Sequence, residues 1–177
     1  GETLEAPFSS FAREDGSMQI ALNGKALYLF TPDTQAGDQN GEALGNVWFI
    51  ARPAPMKLSD FGDQDTGFVA HRSATQTNGL NDLEKEGYTL YTFNNDEADS
   101  GISNCAGGCA QVWPPLYADG PEQAFGSYSV ITRQNEAGDT VYQWAYAGKP
   151  LYFFRDDQVP ADNQGLVNPN FQIASLN

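Results

Sequence analysis

Short runs of β-branched and aromatic residues, separated by Gly, Asn and Asp, recur along the whole chain. Good examples occupy residues 127–132, 141–146 and 150–154. Runs of this length and composition predict β-strands that are joined by tight turns. No segment combines helical length with a 3.6-residue apolar period. The pattern therefore predicts an all-β protein.

The pattern Leu-Tyr-x-Phe-x-x-Asp occurs three times, at residues 27–33, 90–96 and 151–157. We call it the motif and number its copies one, two and three. Because side chains alternate along a strand, the Tyr and Phe share one face and the Leu lies on the other, so the strand should be covered on both sides. The Asp follows the strand, where we expect it to accept hydrogen bonds from backbone N–H groups of its own turn. The predicted scaffold residues are Tyr28, Phe30, Asp33, Tyr91, Phe93, Asp96, Tyr152, Phe154 and Asp157.

The first and last parts of the chain are two copies of one unit of about 50 residues. Residues 19–28 align with residues 143–152 without a gap. Such units predict an antiparallel sandwich or a barrel-like assembly, and propeller-like and trefoil-like arrangements are the alternatives. The predicted boundaries, within one compact domain, are 1–57 for unit one, 58–87 for an irregular acidic and polar linker, 88–124 for unit two and 125–177 for unit three.

The chain is strongly acidic, with 23 acidic and 9 basic residues among 177 and a net charge of −14. This charge argues against nucleic acid and anionic lipid as partners, since both would be repelled. It favours cations or basic partners and keeps a secreted protein soluble. No apolar run reaches the length of a membrane span, so none is predicted.

Two cysteines, Cys105 and Cys109, are separated by three residues, two of which are glycines. In an exported protein a local disulfide is the default interpretation. The disulfide would fix the shape of the loop that precedes Trp113, Pro114 and Pro115. We expect the loop to present these three residues to a binding partner.

Two metal sites compete with these structural interpretations. Cys105, Cys109 and the lone His71 offer three ligands for a soft metal such as copper or zinc, although a structural zinc site usually has four. Oxygen-rich segments favour Ca²⁺ instead, but neither contains the Glu that an EF-hand loop requires at its last position. The calcium candidates are Asp38, Asn40, Glu42, Asp63 and Asp65.

The sequence offers little for catalysis. A Ser- or Cys-centred triad needs a histidine base, and the chain has one His and no Gly-x-Ser-x-Gly turn. Paired carboxylates and exposed aromatic rings would suit sugars, but carboxylates are too common here for their pairing to be informative. We therefore expect no enzymatic activity and keep a carbohydrate-binding module as an alternative.

Three blocks of sequence resemble the bacterial secreted-repeat lipoproteins, a family with a Tyr-x-(Phe/Trp/Tyr)-x-x-Asp motif. They are residues 87–96, residues 105–116 with Cys-x-x-x-Cys and Trp-Pro-Pro-Leu, and residues 143–157. Unit one resembles the second half of the family repeat through residues 19–48. The resemblance implies one and a half repeats, whose missing half comes from lost N-terminal sequence or from a neighbouring chain. It implies an exported protein and assigns no activity.

Taken together, these features predict a non-catalytic exported protein of the periplasm, the outer-membrane surface or the extracellular space. We expect it to bind a protein partner or to self-associate, because unpaired strand edges invite pairing. A lipid anchor outside the sequence is compatible with the resemblance. The alternative is a metal-binding or redox accessory protein that uses the two cysteines.

Overall fold

A computed structural model shows a protein made almost entirely of short strands, which confirms the predicted all-β class. It describes residues 4–42, 44–48, 50–61, 66–71, 85–121 and 124–176. The strands are β1 (Phe8–Ala12), β2 (Met18–Leu22), β3 (Lys25–Ala26), β4 (Met56–Ser59), β5 (Gly67–Ala70), β6 (Tyr91–Phe93), β7 (Tyr117–Ala118), β8 (Tyr128–Gln134), β9 (Thr140–Tyr146), β10 (Lys149–Pro150) and β11 (Phe171–Ile173). Short helical turns are α1 (Gly108–Val112) and the 3₁₀ segments Leu44–Asn46 and Gln164–Val167.

The strands form several separate antiparallel sheets. Unit one contributes the sheet β1-β2-β3, and unit three contributes β8, β9 and β10, to which β7 of unit two adds on β9. Two further pairs are β4 with β5 and β6 with β11. Within the described ranges no sheet closes into a barrel.

Unit one and unit three repeat the same hairpin down to its side-chain hydrogen bonds. Arg13 donates to Gln19 over 2.9 Å, and Gln19 donates to the Leu27 carbonyl oxygen. In unit three, Arg133 donates to Gln143 and Gln143 donates to the Leu151 carbonyl oxygen, each over 2.7 Å.

The turns of the two hairpins also match, since Asn23-Gly24 and Ala147-Gly148 both have positive φ. A tight hairpin turn of this kind requires that conformation at both central residues. The repeat inferred from the sequence is therefore a structural repeat as well.

Units two and three cross at the motif. Tyr91 and Tyr152 form an antiparallel bridge, in which each backbone N–H donates to the other residue's carbonyl oxygen over 2.8 and 2.9 Å. Outside this pair, Pro115 at the end of unit two bridges Tyr152, whereas Ile173 at the end of unit three pairs with Tyr91. In each unit, the segment that follows the motif thus pairs with the motif strand of the other unit. We call these the end segments; they contain Pro115 in unit two and Ile173 in unit three.

The core has two clusters that meet at this crossing. One lies between the sheets and centres on buried apolar residues that include Leu90, Trp144 and Leu151. The other is aromatic and contains Tyr91, Cys105, Trp113, Tyr152, Phe154 and Phe171.

The motif behaves differently in its first copy. Leu90 and Tyr91, like Leu151 and Tyr152, are fully buried, as a strand covered on both sides requires. Copy one departs from this prediction, because Tyr28 is 65% exposed and Leu29 is 96% exposed. No neighbouring strand among the described residues lies on this segment as Tyr91 lies on Tyr152. The boundaries proposed for the three units stay predictions.

Candidate functional site

Copies two and three of the motif bind each other through reciprocal hydrogen bonds. The Tyr91 hydroxyl donates to Asp157 Oδ2 over 2.8 Å, and the Tyr152 hydroxyl donates to Asp96 Oδ2 over 2.5 Å. Asp96 is 1% exposed and Asp157 is 2% exposed. Each copy therefore supplies one donor and one acceptor, and the pair has an approximate twofold symmetry.

The second carboxylate oxygen of each aspartate accepts a backbone N–H from seven or eight residues further along, and so closes a longer loop than the turn that the sequence predicted. Asp157 Oδ1 accepts the Gln164 N–H over 3.0 Å, and Asp96 Oδ1 accepts the Asn104 N–H over 2.7 Å. In copy one, Asp33 Oδ1 accepts the Asn40 N–H over 2.9 Å. The loop-closing bond is common to all three copies, whereas the tyrosine bond exists in two.

Burial of these groups alters their ionisation. Desolvation raises the pKa of the Asp157 carboxyl above its ordinary value, while the bonds from Tyr91 and Gln164 act in the opposite sense. Desolvation also raises the pKa of the Tyr91 and Tyr152 hydroxyls, and the bonds to the aspartates add to the effect. Both tyrosines are therefore neutral donors at physiological pH.

The raised pKa of Asp157 predicts a specific pH dependence. A group whose pKa is higher in the folded state stabilises the fold fully below its unfolded pKa, 3.8 for this carboxyl, and loses that contribution as pH rises through the folded value. The unfolding free energy of the wild type relative to Asp157→Asn should therefore fall as pH rises from about 4. Urea titrations between about pH 4 and 8 measure this difference. A wild-type advantage that grows with pH would contradict the prediction.

The cysteine loop, residues 103–116, is tied to unit three. Cys105 and Cys109 form a disulfide, in agreement with the default interpretation. Arg133 Nη2 donates to the Cys105 carbonyl oxygen over 2.7 Å, and its Nη1 donates to Ser103 Oγ over 3.2 Å. The disulfide and this arginine together fix the loop against the neighbouring hairpin.

The loop does not present Trp113 to a partner. Trp113 is 3% exposed, and its ring stacks on Phe171 with ring centroids 3.6 Å apart and planes 4° from parallel. Pro115 is buried as well, and Pro114 is half-buried. The physical reason is that Trp113 packs into the aromatic core between units two and three, so the segment that carries it is buried there.

The metal candidates are not gathered into a site in the described part of the chain. Among those residues no three His, Cys, Asp or Glu side chains are grouped to hold an ion. Both cysteine sulfurs are used in the disulfide, and His71 Nε2 lies 4.0 Å from a Glu86 oxygen, with its pKa lowered by burial. A soft-metal site would therefore require reduction of the disulfide.

The calcium candidates of unit one are engaged within the protein. Asp38 Oδ2 accepts the N–H groups of Thr34 and Gln35, which lower its pKa. The Glu42 oxygens accept the Ile50 N–H over 2.6 Å and an Arg52 N–H over 3.2 Å. Asn40 uses its side-chain amide on the Pro32 carbonyl oxygen. Asp63 and Asp65 lie outside the described residues.

Copy one of the motif lines an open groove on unit one, with a volume of about 530 Å³. The groove is apolar on one side, where Tyr28, Leu29, Val47 and Trp48 are 65%, 96%, 77% and 36% exposed. Trp48 touches the rings of Tyr28 and Phe30 at centroid distances of 6.4 and 5.2 Å. We call this surface the unit-one face.

The unit-one face lacks the contacts that its counterpart makes in unit three. Tyr152 and Phe153 of unit three, equivalent to Tyr28 and Leu29, are 0% and 6% exposed because unit two covers them. Among the described residues, the Tyr28 hydroxyl and Asp33 Oδ2 have no hydrogen-bond partner.

Several residues of these interfaces are not identified by the sequence patterns. Arg133, Gln143 and Ser103 link the cysteine loop to unit three, and Trp48 completes the unit-one face. The sequence does contain a signal for two of them, because the two aligned units share an Arg (Arg13 and Arg133) and a Gln (Gln19 and Gln143) at equivalent positions. The alignment shows that these residues are shared by the two units, but it does not show which hydrogen bonds they make.

Comparison with known proteins matches two parts of the chain. A family model described as a secreted repeat of unknown function matches residues 9–52 and 73–117, which together make up half of the chain. No curated protein and no solved structure shows significant similarity to it. No helix among the described residues is both long and apolar enough to cross a membrane. The matched segments contain copies one and two of the motif and the cysteine loop.

Proposed function

Because the chain belongs to this family of secreted repeats, we propose that it is an exported, non-catalytic protein that binds another polypeptide through the unit-one face. We place it in the periplasm, on the outer-membrane surface or outside the cell. Its role is assembly in the envelope or attachment of a protein partner there. The disulfide suits an oxidising compartment of this kind.

One observation carries the proposal. The same hairpin and motif occur in unit one and unit three, and in unit three the motif strand is covered by another polypeptide segment. In unit one the equivalent surface is apolar, aromatic and exposed. A strand segment with free hydrogen-bonding groups and aromatic side chains suits the addition of a further strand.

A polypeptide fits this face better than a sugar. Two of the groove's carboxylates are less available to a sugar, because Asp38 and Glu42 already accept backbone or arginine hydrogen bonds. The exposed Leu29 and Val47 add aliphatic surface, which favours an apolar partner.

Site-specific photo-crosslinking in the cells that export the protein tests the proposal. A benzophenone amino acid replaces Leu29, which is 96% exposed, and the control carries it at Val167, which is 83% exposed. We expect a covalent adduct to a polypeptide from position 29 and none from position 167. Adducts from both positions at equal yield, or from neither, would overturn the proposal.

A further inference from the structure

Pairing of the motif copies leaves one copy over. Copies two and three satisfy each other completely, since each provides a tyrosine donor and an aspartate acceptor. Copy one carries the same two groups, Tyr28 and Asp33, and its aspartate already closes its own loop onto Asn40 as the others do. Its exposed tyrosine and its second carboxylate oxygen are therefore available to an opposite copy of the motif.

The crossing of units two and three shows what such a pair requires. It needs two motif strands that form a β-bridge between their tyrosines. It also needs two end segments, each of which pairs with the motif strand of the other unit. The aromatic residue that begins each end segment is Trp113 in unit two and Phe171 in unit three. These two rings stack on each other close to the approximate twofold axis.

Unit one contains both kinds of element. Its motif segment, residues 27–30, carries Tyr28, and its end segment begins with Trp48, which aligns with Phe171. Neither segment is paired as a strand among the described residues. Trp48 touches Tyr28 edge-on at 6.4 Å, as Phe171 touches Tyr152 edge-on at 5.9 Å. Within the described residues no strand pairs with the end segment at Trp48 or Ile50. Unit one is thus self-complementary: a second copy of it supplies everything that it lacks.

We propose that two copies of this protein form a symmetric dimer by pairing copy one of the motif with copy one of the partner subunit. This inference rests on the proposed function and names the partner. The two Tyr28 residues bridge across the twofold axis, and each hydroxyl donates to Oδ2 of the partner's Asp33. The two Trp48 rings stack across the axis, and each Ile50 lies against the opposite Tyr28. The contact is isologous, so it closes at two copies.

Sedimentation of the purified protein over a wide concentration range provides the first test. The salt concentration should be about 0.15 M, so that the net charge of −14 on each chain is screened. We expect a reversible monomer–dimer equilibrium. Leu29→Glu should raise the dissociation constant by at least about 100-fold, since it places two charges in an apolar contact. Tyr28→Phe should raise it by about 10-fold or more, since each dimer loses two hydrogen bonds to carboxylates.

Val167→Glu serves as the matched control. Val167 is 83% exposed in unit three, and the substitution adds the same charge outside the unit-one face. We expect its dissociation constant to equal that of the wild type. A dimer that survives Leu29→Glu unchanged, or that Val167→Glu weakens equally, would overturn the proposal.

A cysteine substitution tests the register. Backbone-paired residues on antiparallel strands have Cα atoms about 5.5 Å apart, which is within disulfide reach. Under mild oxidation Tyr28→Cys should therefore yield a covalent dimer, whereas Val167→Cys should not. Equal yields from the two variants would count against this register.

The outcomes also separate this inference from the proposed function. A strict monomer at every concentration, with a position-29 adduct to a different protein, overturns the dimer and leaves partner binding intact. Absence of any position-29 adduct, self-adducts included, overturns both.

Discussion

Replacing Trp113 by Ala should lower the free energy of unfolding by about 3–5 kcal/mol, the range for a large buried aromatic side chain. Trp113 is 3% exposed and contacts the rings of Tyr91, Phe154 and Phe171. The fit against unit three is close, because a Cβ atom on Gly165 would lie 2.8 Å from the Trp113 ring. The truncation would leave a cavity at the junction of the two units, and the tightly packed residues around it could move little to fill it.

Urea titration of the wild type and the variant measures the change. Trp113→Phe is the first control, since unit three uses Phe171 at the equivalent position, and we expect it to recover most of the loss. Val167→Ala is the second, and at 83% exposure it should change stability by less than about 0.5 kcal/mol. If Trp113→Ala cost no more than Val167→Ala, Trp113 would not form the junction of the two units.

Much of the fold could be predicted from the sequence, because its causes are local. Alternating aromatic runs and turn residues specify strands and hairpins, and the self-alignment identifies unit one with unit three. The Cys105–Cys109 disulfide follows from spacing and compartment in the same way. The crossing of units two and three could not be predicted, since it depends on distant partners such as Tyr91 and Asp157, which are 66 residues apart in the chain.

The site shows the same division between local and distant causes. The sequence predicts that the motif tyrosine and phenylalanine are covered. Tyr91, Tyr152 and Phe154 are buried where another unit lies on the strand, whereas Phe93 is half-buried. The exposure of Tyr28 could not be predicted. The sequence shows that this segment has apolar side chains that could be buried, but it does not show whether another segment lies against them. The loop-closing bond of Asp33 was within reach, since it joins groups in one loop. The placement of Trp113 was misjudged because an aromatic residue beside two prolines looks like a surface anchor until the opposite face is known.

The difference between copy one and the other copies has a consequence for assembly. The motif tyrosine is buried and hydrogen-bonded in copies two and three but exposed in copy one, where the aspartate is half-buried. Selection for folding alone does not require an aromatic surface on unit one, and exposed strand edges carry a risk of unspecific association. A closed pair of units removes that edge, as it does between units two and three.

A double-mutant cycle on Tyr91 and Asp157 should give a coupling energy of about 1.5–3 kcal/mol, the range for a hydrogen bond to a charged group. The single variants Tyr91→Phe and Asp157→Ala and the double variant would be unfolded in urea at about pH 7. Each single change leaves one buried group without its partner, since the hydroxyl donates to the carboxylate over 2.8 Å. The double variant should therefore be more stable than the sum of the two losses predicts.

Copy one of the motif provides the internal control for this cycle. Tyr28→Phe and Asp33→Ala alter the same residue types in the same sequence pattern, but no described contact joins them within one chain. At dilutions where the protein is monomeric, their effects should add within about 0.3–0.5 kcal/mol. A Tyr91–Asp157 coupling as small as that of Tyr28 and Asp33 would show that the reciprocal bond does not hold the units together.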